Sequence, residues 1–139
     1  MDNSYLDINQ VIELLEQQDK LKYHLMPRKK VMYQAILPDG RSKCVCVLRS
    51  KFHESINGYW VDITSVQKSA LDNCDNAVVI YLLQGMKLAA INWKELSPKL
   101  INENMQNNTN EGNHWKTYIR DGFLEIRQGS KLPLNIVQL

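Results

Sequence analysis

The stretch from Tyr59 to Lys68 contains a carboxylate that could take part in metal chemistry. An aromatic and β-branched run, which fits a half-buried strand, leads there into Thr64 and Ser65, residue types that open helices. Asp62 precedes this step, so we expect it where a strand ends and a helix begins. In that position its carboxylate could bind a metal ion or accept hydrogen bonds from the backbone at the helix start. Both interpretations remain open.

Positive charge is concentrated between residues 28 and 51. Seven basic residues and one acid, Asp39, give this stretch a net charge of +6, whereas the rest of the chain carries −4. Clustered cations bind phosphate groups, but the solvated outer face of an ordinary sheet has a similar composition. The residues that would form a nucleic-acid-binding surface are Arg28, Lys29, Lys30, Arg41, Lys43, Arg49 and Lys51.

Length and composition indicate one folded domain covering residues 1–139. A hydrophobic fraction of 44% with 23% charged residues is close to ordinary globular usage and excludes wholesale disorder. A chain of 139 residues can bury a single core, and no second-domain linker interrupts it. No apolar run approaches the roughly 18 residues that span a bilayer. We therefore expect a soluble protein with no membrane partner.

The three cysteines favour a reduced, cytoplasmic location. Cys44 and Cys46 lie two residues apart on one predicted strand, a spacing that seldom closes a disulfide, and Cys74 completes an odd number. A zinc site is not expected, because no second pair of cysteine or histidine residues completes a ligand set.

Hydrophobic periodicity predicts an amphipathic helix of about three turns that begins after Asp7, and a continuation through Leu21 and Leu25, before Pro27, is left open. A tight turn at Pro38-Asp39-Gly40 joins two strands. Residues 102–113 contain six asparagines and are predicted to form a mobile loop. The remaining elements are predicted strands at 31–37, 43–49, 59–63, 77–83, 88–93, 115–119, 123–127 and 132–137, and a helix at 64–71.

These elements predict an α/β or α+β fold. Residues 8–83 have the order αβββαβ in a mixed sheet, and a β meander follows toward the C-terminus. The run from Ala77 to Leu83 is apolar throughout, so we expect it to be a central strand buried on both faces.

This order resembles the αβββαβ core of the PD-(D/E)XK nuclease superfamily, which has the restriction endonuclease-like fold. In that superfamily an acid at the start of the second strand and an acid-x-Lys motif on the third bind magnesium and assist attack of water on a phosphodiester. Here Pro38-Asp39 stands before the second strand and Asp62-Ile63-Thr64 ends the third. The lysine is missing from its usual place, and Lys68 is the nearby substitute.

The resemblance implies that Asp39 and Asp62 hold Mg²⁺ and that Lys68 assists catalysis. Magnesium takes hard oxygen ligands, so its site requires converging carboxylates, and a lysine can offset the developing charge. Asp39 in a Pro-Asp-Gly sequence is also an ordinary turn residue. If catalysis is absent, no cofactor is expected.

The function indicated is a nucleic-acid-associated domain that resembles these nucleases. It would be a magnesium-dependent phosphodiester hydrolase if active, and whether catalysis survives is left open because the acid-x-Lys motif is incomplete. The alternative is a non-catalytic protein-interaction module or accessory subunit, including a homodimer. That alternative would use strand edges and exposed aromatic residues such as Trp93 and Trp115.

Overall fold

A computed structural model describes residues 4–27, 31–108 and 112–138. These residues form an α+β fold with two sheets, as the predicted fold class requires. The α-helices are α1 (Ile8–Asp19), α2 (Ser65–Asp72) and α3 (Trp93–Leu96). The strands are β1 (His24–Leu25), β2 (Met32–Ile36), β3 (Ser42–Ser50), β4 (Phe52–His53), β5 (Gly58–Thr64), β6 (Asn76–Leu83), β7 (Lys87–Asn92), β8 (Gln106–Asn108), β9 (Gly112–Arg120), β10 (Phe123–Ile126), β11 (Lys131–Pro133) and β12 (Ile136–Gln138).

Sheet A is mixed and has the strand order β1-β2-β3-β6-β7-β12. Its centre is the parallel pair β3 and β6, while the other neighbours pair antiparallel. Both faces of β6 are covered from Val79 to Leu83, which explains its continuous apolar run. The predicted central strand is confirmed.

Sheet B is antiparallel, with the order β11-β10-β9-β5-β4 and β8 beside the start of β9. The predicted C-terminal meander is present as β9, β10 and β11. The single strand predicted over residues 132–137 is wrong, because the chain divides it. β11 belongs to sheet B and β12 to sheet A, with Leu134 buried between them.

The third strand of the αβββαβ order, β5, lies in sheet B rather than beside β3. The chain changes sheets at Ser50, whose hydroxyl bonds to both backbone groups of Trp60. Ser50 Oγ donates to the Trp60 carbonyl at 2.8 Å and accepts from the Trp60 amide at 3.1 Å. Gln84 strengthens this corner by accepting from the Phe52 amide at 2.8 Å.

Three layers result from this arrangement: α1, sheet A and sheet B. Residues on one face of sheet A, including Cys46, Val79 and Tyr81, pack against inward residues of sheet B, including Ile63 and Ile119. Val11 and Ile12 of α1 pack on the opposite face of sheet A, against Val45, Val47 and Ile80. Sheet A is therefore apolar on both sides and sheet B on one.

Helix α2 forms the crossover between β5 and β6, and its start agrees with the sequence. Thr64 Oγ1 accepts from the Gln67 amide at 3.1 Å, and Gln67 Oε1 accepts from the Thr64 amide at 3.0 Å. This reciprocal capping box satisfies two backbone donors that would otherwise lack a partner. The predicted strand-to-helix junction is confirmed.

Helix α1 has the predicted length of about three turns, and the continuation to Leu25 is absent. It ends at Asp19, because Lys20 adopts a left-handed conformation with φ 56°. The predicted loop at 102–113 also differs, because residues 102–104 form a 3₁₀ turn and β8 pairs with β9. Asn104 is buried, accepts from the Ile101 amide at 3.1 Å and donates to the Lys99 carbonyl at 3.1 Å. These bonds order the first part of the segment.

Trp93 and Trp115, which were expected to be exposed, are buried. Each indole N–H has a partner inside the fold. Trp93 Nε1 donates to Asp72 Oδ1 at 2.8 Å and Trp115 Nε1 donates to the Ile101 carbonyl at 2.8 Å. Burial of a large ring with its donor satisfied is favourable, so both side chains contribute to the core.

Cys44 and Cys74 form a disulfide, whereas the sequence favoured reduced thiols. The bond joins β3 to the segment between α2 and β6, a long-range pairing that the spacing of Cys44 and Cys46 does not reveal. Cys46 is a buried free thiol, and burial raises its pKa to about 12.

Within the described residues, no helix has the length and apolar character needed to cross a membrane.

We predict that loss of the disulfide lowers the free energy of unfolding. The bond closes a loop of 30 residues, for which the chain-entropy relation gives about 3–4 kcal/mol. Urea unfolding of Cys74→Ser should show this loss. Reductant should lower the stability of the wild type to that of the variant and leave the variant unchanged. A wild-type midpoint that does not respond to reductant would contradict the pairing.

Candidate nucleic-acid interface

Alternation along β5 and β9 gives sheet B an apolar inner face and a polar outer face. Trp115, Thr117 and Ile119 are buried, whereas Lys116, Tyr118 and Arg120 between them are only partly covered. Successive side chains of a strand point to opposite faces, so these three lie on the outer face. The outer face consists of Trp60, Asp62, Lys116, Tyr118, Arg120, Phe123, Glu125, Arg127 and Lys131.

The register places these residues in rows across the strands. Trp60 on β5 lies opposite Tyr118 on β9, Tyr118 lies opposite Glu125 on β10, and Glu125 lies opposite Lys131 on β11. A neighbouring row contains Arg120 opposite Phe123. Directly opposite side chains touch one another, so the face is a continuous surface rather than a set of isolated residues.

Cations lie beside each of the three aromatic rings. Lys116 Nζ is 4.3 Å from the centre of the Trp60 ring, and Lys131 Nζ is 5.1 Å from the centre of the Phe123 ring. Arg120 Cζ is 5.7 Å from the centre of the Tyr118 ring. These separations are within the range of cation–π attraction. Four cations and the two carboxylates of Asp62 and Glu125 give the face a net charge of +2.

Trp60 is the most exposed tryptophan, with 40% of its surface accessible. Its Nε1 donates to Asp62 Oδ1 at 2.8 Å, which restrains the ring against the sheet. The centre of the His53 ring, on β4, lies 5.8 Å from the centre of the Trp60 ring. Asp62 thus holds an aromatic side chain in place.

Arg120 and Glu125 form the charged centre of the outer face. Arg120 Nη2 is 3.0 Å from Glu125 Oε2, Nε is 3.3 Å from Oε1, and Nη1 donates to the Ile56 carbonyl at 3.1 Å. Hydrogen bonds from Arg120 hold the pKa of Glu125 below its usual range, with Lys131 at 3.5 Å adding to the effect. Both side chains are therefore charged and fixed at neutral pH.

A cavity of about 370 Å³ opens beside this ion pair. The turn at residues 128–130 forms one wall, and the outer face forms the other. The side chains that line it from the outer face are Tyr118, Arg120, Glu125, Arg127 and Lys131.

The structure places the predicted catalytic residues on three separate elements. Asp39 lies in the exposed turn between β2 and β3, where Oδ1 accepts from the Arg41 amide at 3.0 Å and Oδ2 from Arg41 Nε at 2.8 Å. Asp62 is on the outer face of sheet B. Lys68 on α2 pairs with Asp72 at 2.7 Å. Bonds from the Arg41 backbone and side chain lower the pKa of Asp39, as in an ordinary turn.

The two carboxylates lie on different sheets: Asp39 is in a turn of sheet A, and Asp62 is on the outer face of sheet B. Ligands of one Mg²⁺ must converge within about 4 Å. The described part of the chain contains no group of three or more histidine, cysteine, aspartate or glutamate residues that could hold a metal. The assignment of Mg²⁺ to Asp39 and Asp62, with Lys68 assisting, stays a prediction.

The predicted basic residues are dispersed. Lys43 and Arg49 lie on the face of β3 opposite Cys44 and Cys46, as expected, but this is the face that α1 covers. Lys43 Nζ pairs with Asp19 at 2.7 Å, and Arg49 lies 4.9 Å above the Tyr5 ring. Arg41 pairs with Asp39, and Lys51 is exposed between β3 and β4. Arg28, Lys29 and Lys30 lie outside the described residues.

Sequence reasoning missed most of the outer face of sheet B. The available signal was the alternation in Trp115-Lys-Thr-Tyr-Ile-Arg120, where apolar and charged or aromatic residues follow one another with period two. The pattern predicts a strand, but the strongest local excess of charge lies at 28–51 and drew the predicted binding surface there.

Comparison with protein-family models, curated proteins and solved structures found no match.

We predict that the ion pair of Lys43 with Asp19 raises the free energy of unfolding at neutral pH. Burial raises the pKa of Asp19, but hydrogen bonds from Lys43 and Tyr23 outweigh it and hold the pKa below 3.8. A carboxylate with a lowered folded-state pKa contributes stability above pH ~4 that is lost as pH falls. Lys43→Met should therefore lower the free energy of unfolding at pH 7 by about 1 kcal/mol and have a smaller effect at pH 2.

Denaturant unfolding at the two pH values provides the measurement. Lys51→Met, which removes an exposed cation from the next strand connection, is the matched control and should change stability little at either pH. Equal losses for Lys43→Met at pH 7 and pH 2 would show that the lysine stem, rather than the ion pair, carries the effect.

Proposed function

We propose that the protein is a nucleic-acid-associated domain that binds single-stranded DNA or RNA on the outer face of sheet B. The observation that carries this proposal is the set of three rings, Trp60, Tyr118 and Phe123, each with a cation beside it. Bases stack on exposed aromatic side chains of sheets, and cations between the rings neutralise phosphates.

The spacing of the rings suits consecutive bases. Trp60 and Tyr118 are directly opposite on neighbouring strands, so their Cβ atoms lie about 5 Å apart, and Phe123 is a diagonal neighbour of Tyr118 at about 7–8 Å. A nucleic-acid strand that crosses β5, β9 and β10 would contact the Trp60, Tyr118 and Phe123 rings in that order. A duplex, whose bases are already stacked, gains little from such a surface.

Cations border the rings on both sides along the strands. Lys116 lies next to the row that contains Trp60 and Tyr118, and Arg120 lies on the other side of that row. Lys131 ends the row on β11. Phosphates of a bound strand would therefore meet positive charge at each step.

Hydrolysis is a separate part of the proposal and comes from the nuclease resemblance. It would require Asp39 and Asp62 to share Mg²⁺ and Lys68 to assist. Binding does not depend on it. A cytoplasmic location, expected from the odd number of cysteines, also belongs to the proposal. The Cys44–Cys74 disulfide does not support it, because disulfides are more common in oxidising compartments.

A protein-interaction module is the second candidate, and the composition of the same face favours it. Tryptophan, tyrosine and arginine dominate interface hot spots, and the carboxylates of Asp62 and Glu125 suit a partner of mixed charge better than they suit phosphates. The two candidates differ in their dependence on salt and on nucleic acid.

We predict that the protein binds labelled single-stranded DNA or RNA of about ten nucleotides at low salt more tightly than duplex of the same length. Trp60→Ala should weaken binding by roughly 5- to 150-fold, because stacking contributes about 1–3 kcal/mol per base. Lys116→Ala should weaken binding nearly equally for all nucleic-acid sequences. It should also reduce the slope of log affinity against log salt concentration by about one, because one fewer counterion is released on binding. Fluorescence polarisation measures these changes.

Lys94→Ala is the matched control, because Lys94 is an exposed lysine on α3, away from the outer face of sheet B. It should leave affinity unchanged. Absence of binding to DNA and RNA at low salt would reject the nucleic-acid proposal in favour of the interaction module. Cleavage of the strand on addition of Mg²⁺, abolished by Asp39→Asn, would support the hydrolytic part independently.

A further inference from the structure

Helix α1 covers only part of the outward face of sheet A. It packs over β2, β3 and β6, while β7 and β12 extend beyond it. The uncovered part forms a groove of about 770 Å³ between the helix and the sheet edge. Val11, Leu14 and Leu15 form one wall, and Val137 of β12 stands on the other side. The floor is made by Ile80, Leu88 and Ala90.

The groove follows α1 toward the end of the helix. A second hollow of about 570 Å³ shares Leu15, Gln18, Ile80 and Ala90 with the first and continues to Leu21, past the end of the helix. The α1 residues that line the two hollows run from Val11 to Asp19, so the groove follows about 12 Å of the helix.

Two apolar side chains beside the groove are exposed to solvent. Leu14 has 55% of its surface exposed and Val137 has 42%. On α1, Leu14 lies three residues after buried Val11 and next to Leu15, so it extends the apolar stripe of the helix beyond the part that the sheet covers. An apolar surface of this kind, continuous with a concavity, marks an interaction site.

We propose that this groove is the contact surface between two copies of the chain, with α1 packed against α1 across a two-fold axis. In an isologous contact one patch must supply both the protruding group and the hollow that receives it. This patch does so, because Leu14 stands on the helix that forms the wall of the groove. The twofold then places Leu14 of each copy over the groove of the other.

The charge of the patch favours a second copy over a different partner. The polar residues that line the main groove are the uncharged amides Gln17, Gln18 and Asn135. Asp19 and Lys43, which line the adjoining hollow, neutralise each other at 2.7 Å. Within the lining of the groove, an identical surface therefore meets no like charge, whereas a charged peptide would find no counter-charge. The small side chain of Ala90 lets a second helix approach the floor closely.

The exposed side of α1 agrees with this occupant. Its large exposed apolar residue is Leu14, the side chain that the groove of the other copy would receive. The groove lies on the α1 side of sheet A, opposite sheet B. A dimer formed here would leave the outer face of sheet B open on each copy, so the inference does not depend on the proposed function.

Sedimentation velocity of the intact chain over roughly 1 to 200 µM tests the inference, a range that covers dissociation constants typical of modest homodimers. The wild type should sediment as a dimer at the upper end. Leu14→Glu should raise the dimer dissociation constant by roughly 100-fold or more, because the twofold would bury two uncompensated carboxylates. Val137→Glu, on the opposite wall, should weaken the dimer in the same direction.

Ile36→Glu is the matched control, since Ile36 is 62% exposed on β2 and does not line the groove. It should leave the dimer intact. Circular dichroism should show that the variants remain folded, because each changed side chain is exposed in one copy. A wild type that stays monomeric throughout, or a dimer that survives both Leu14→Glu and Val137→Glu, would overturn the proposal.

Discussion

The parallel pairing of β3 with β6 is the interaction on which the rest of the structure depends. Eight consecutive register pairs join the two strands, from Lys43 with Asn76 to Ser50 with Leu83. Parallel neighbours cannot be joined by a tight turn, so the chain must leave sheet A, form β5 in sheet B and return through α2. The same pairing brings Cys44 to Cys74 and Ser42 to Asp75, which accepts from the Ser42 amide at 2.8 Å. Burial of sheet A on both faces follows, with α1 on one side and sheet B on the other.

Contacts with sheet A hold sheet B in place, and the outer face of sheet B lies on the side away from these contacts. The hydroxyl of Ser50 anchors the backbone of Trp60, and Tyr59 donates to the Gln84 carbonyl at 3.1 Å. Within sheet B, Thr117 Oγ1 donates to the Val61 carbonyl at 2.6 Å in the core. Trp60, Lys116 and Tyr118 therefore stand on rigid strands, which gives a binding surface with little ordering left to do on association.

The contrast between the two sets of cations illustrates how charge acts in a folded protein. The stretch from residue 28 to 51 has the larger excess of positive charge, but Arg41 and Lys43 are matched to acids by turn geometry and by the approach of α1. The cations of sheet B are individually unremarkable in sequence, and pairing of β5, β9, β10 and β11 gathers them around three rings. Spatial neighbours, rather than sequence neighbours, set the local potential.

The sequence by itself determined the class of fold and its local features. Period-two and helical spacing located α2, the hairpin of β2 and β3, and the central strand β6, because these depend on side chains close in the chain. In the predicted turn, Gly40 has a positive φ of 88°. Only the tertiary structure decided which sheet received β5, that the last predicted strand is divided, that Trp93 and Trp115 are buried, and that Cys44 meets Cys74. Those outcomes depend on pairings between residues distant in sequence, whose energy is gained only when whole layers pack together. The outer face of sheet B belongs to this second group, since its rows are formed from four strands that no local pattern connects.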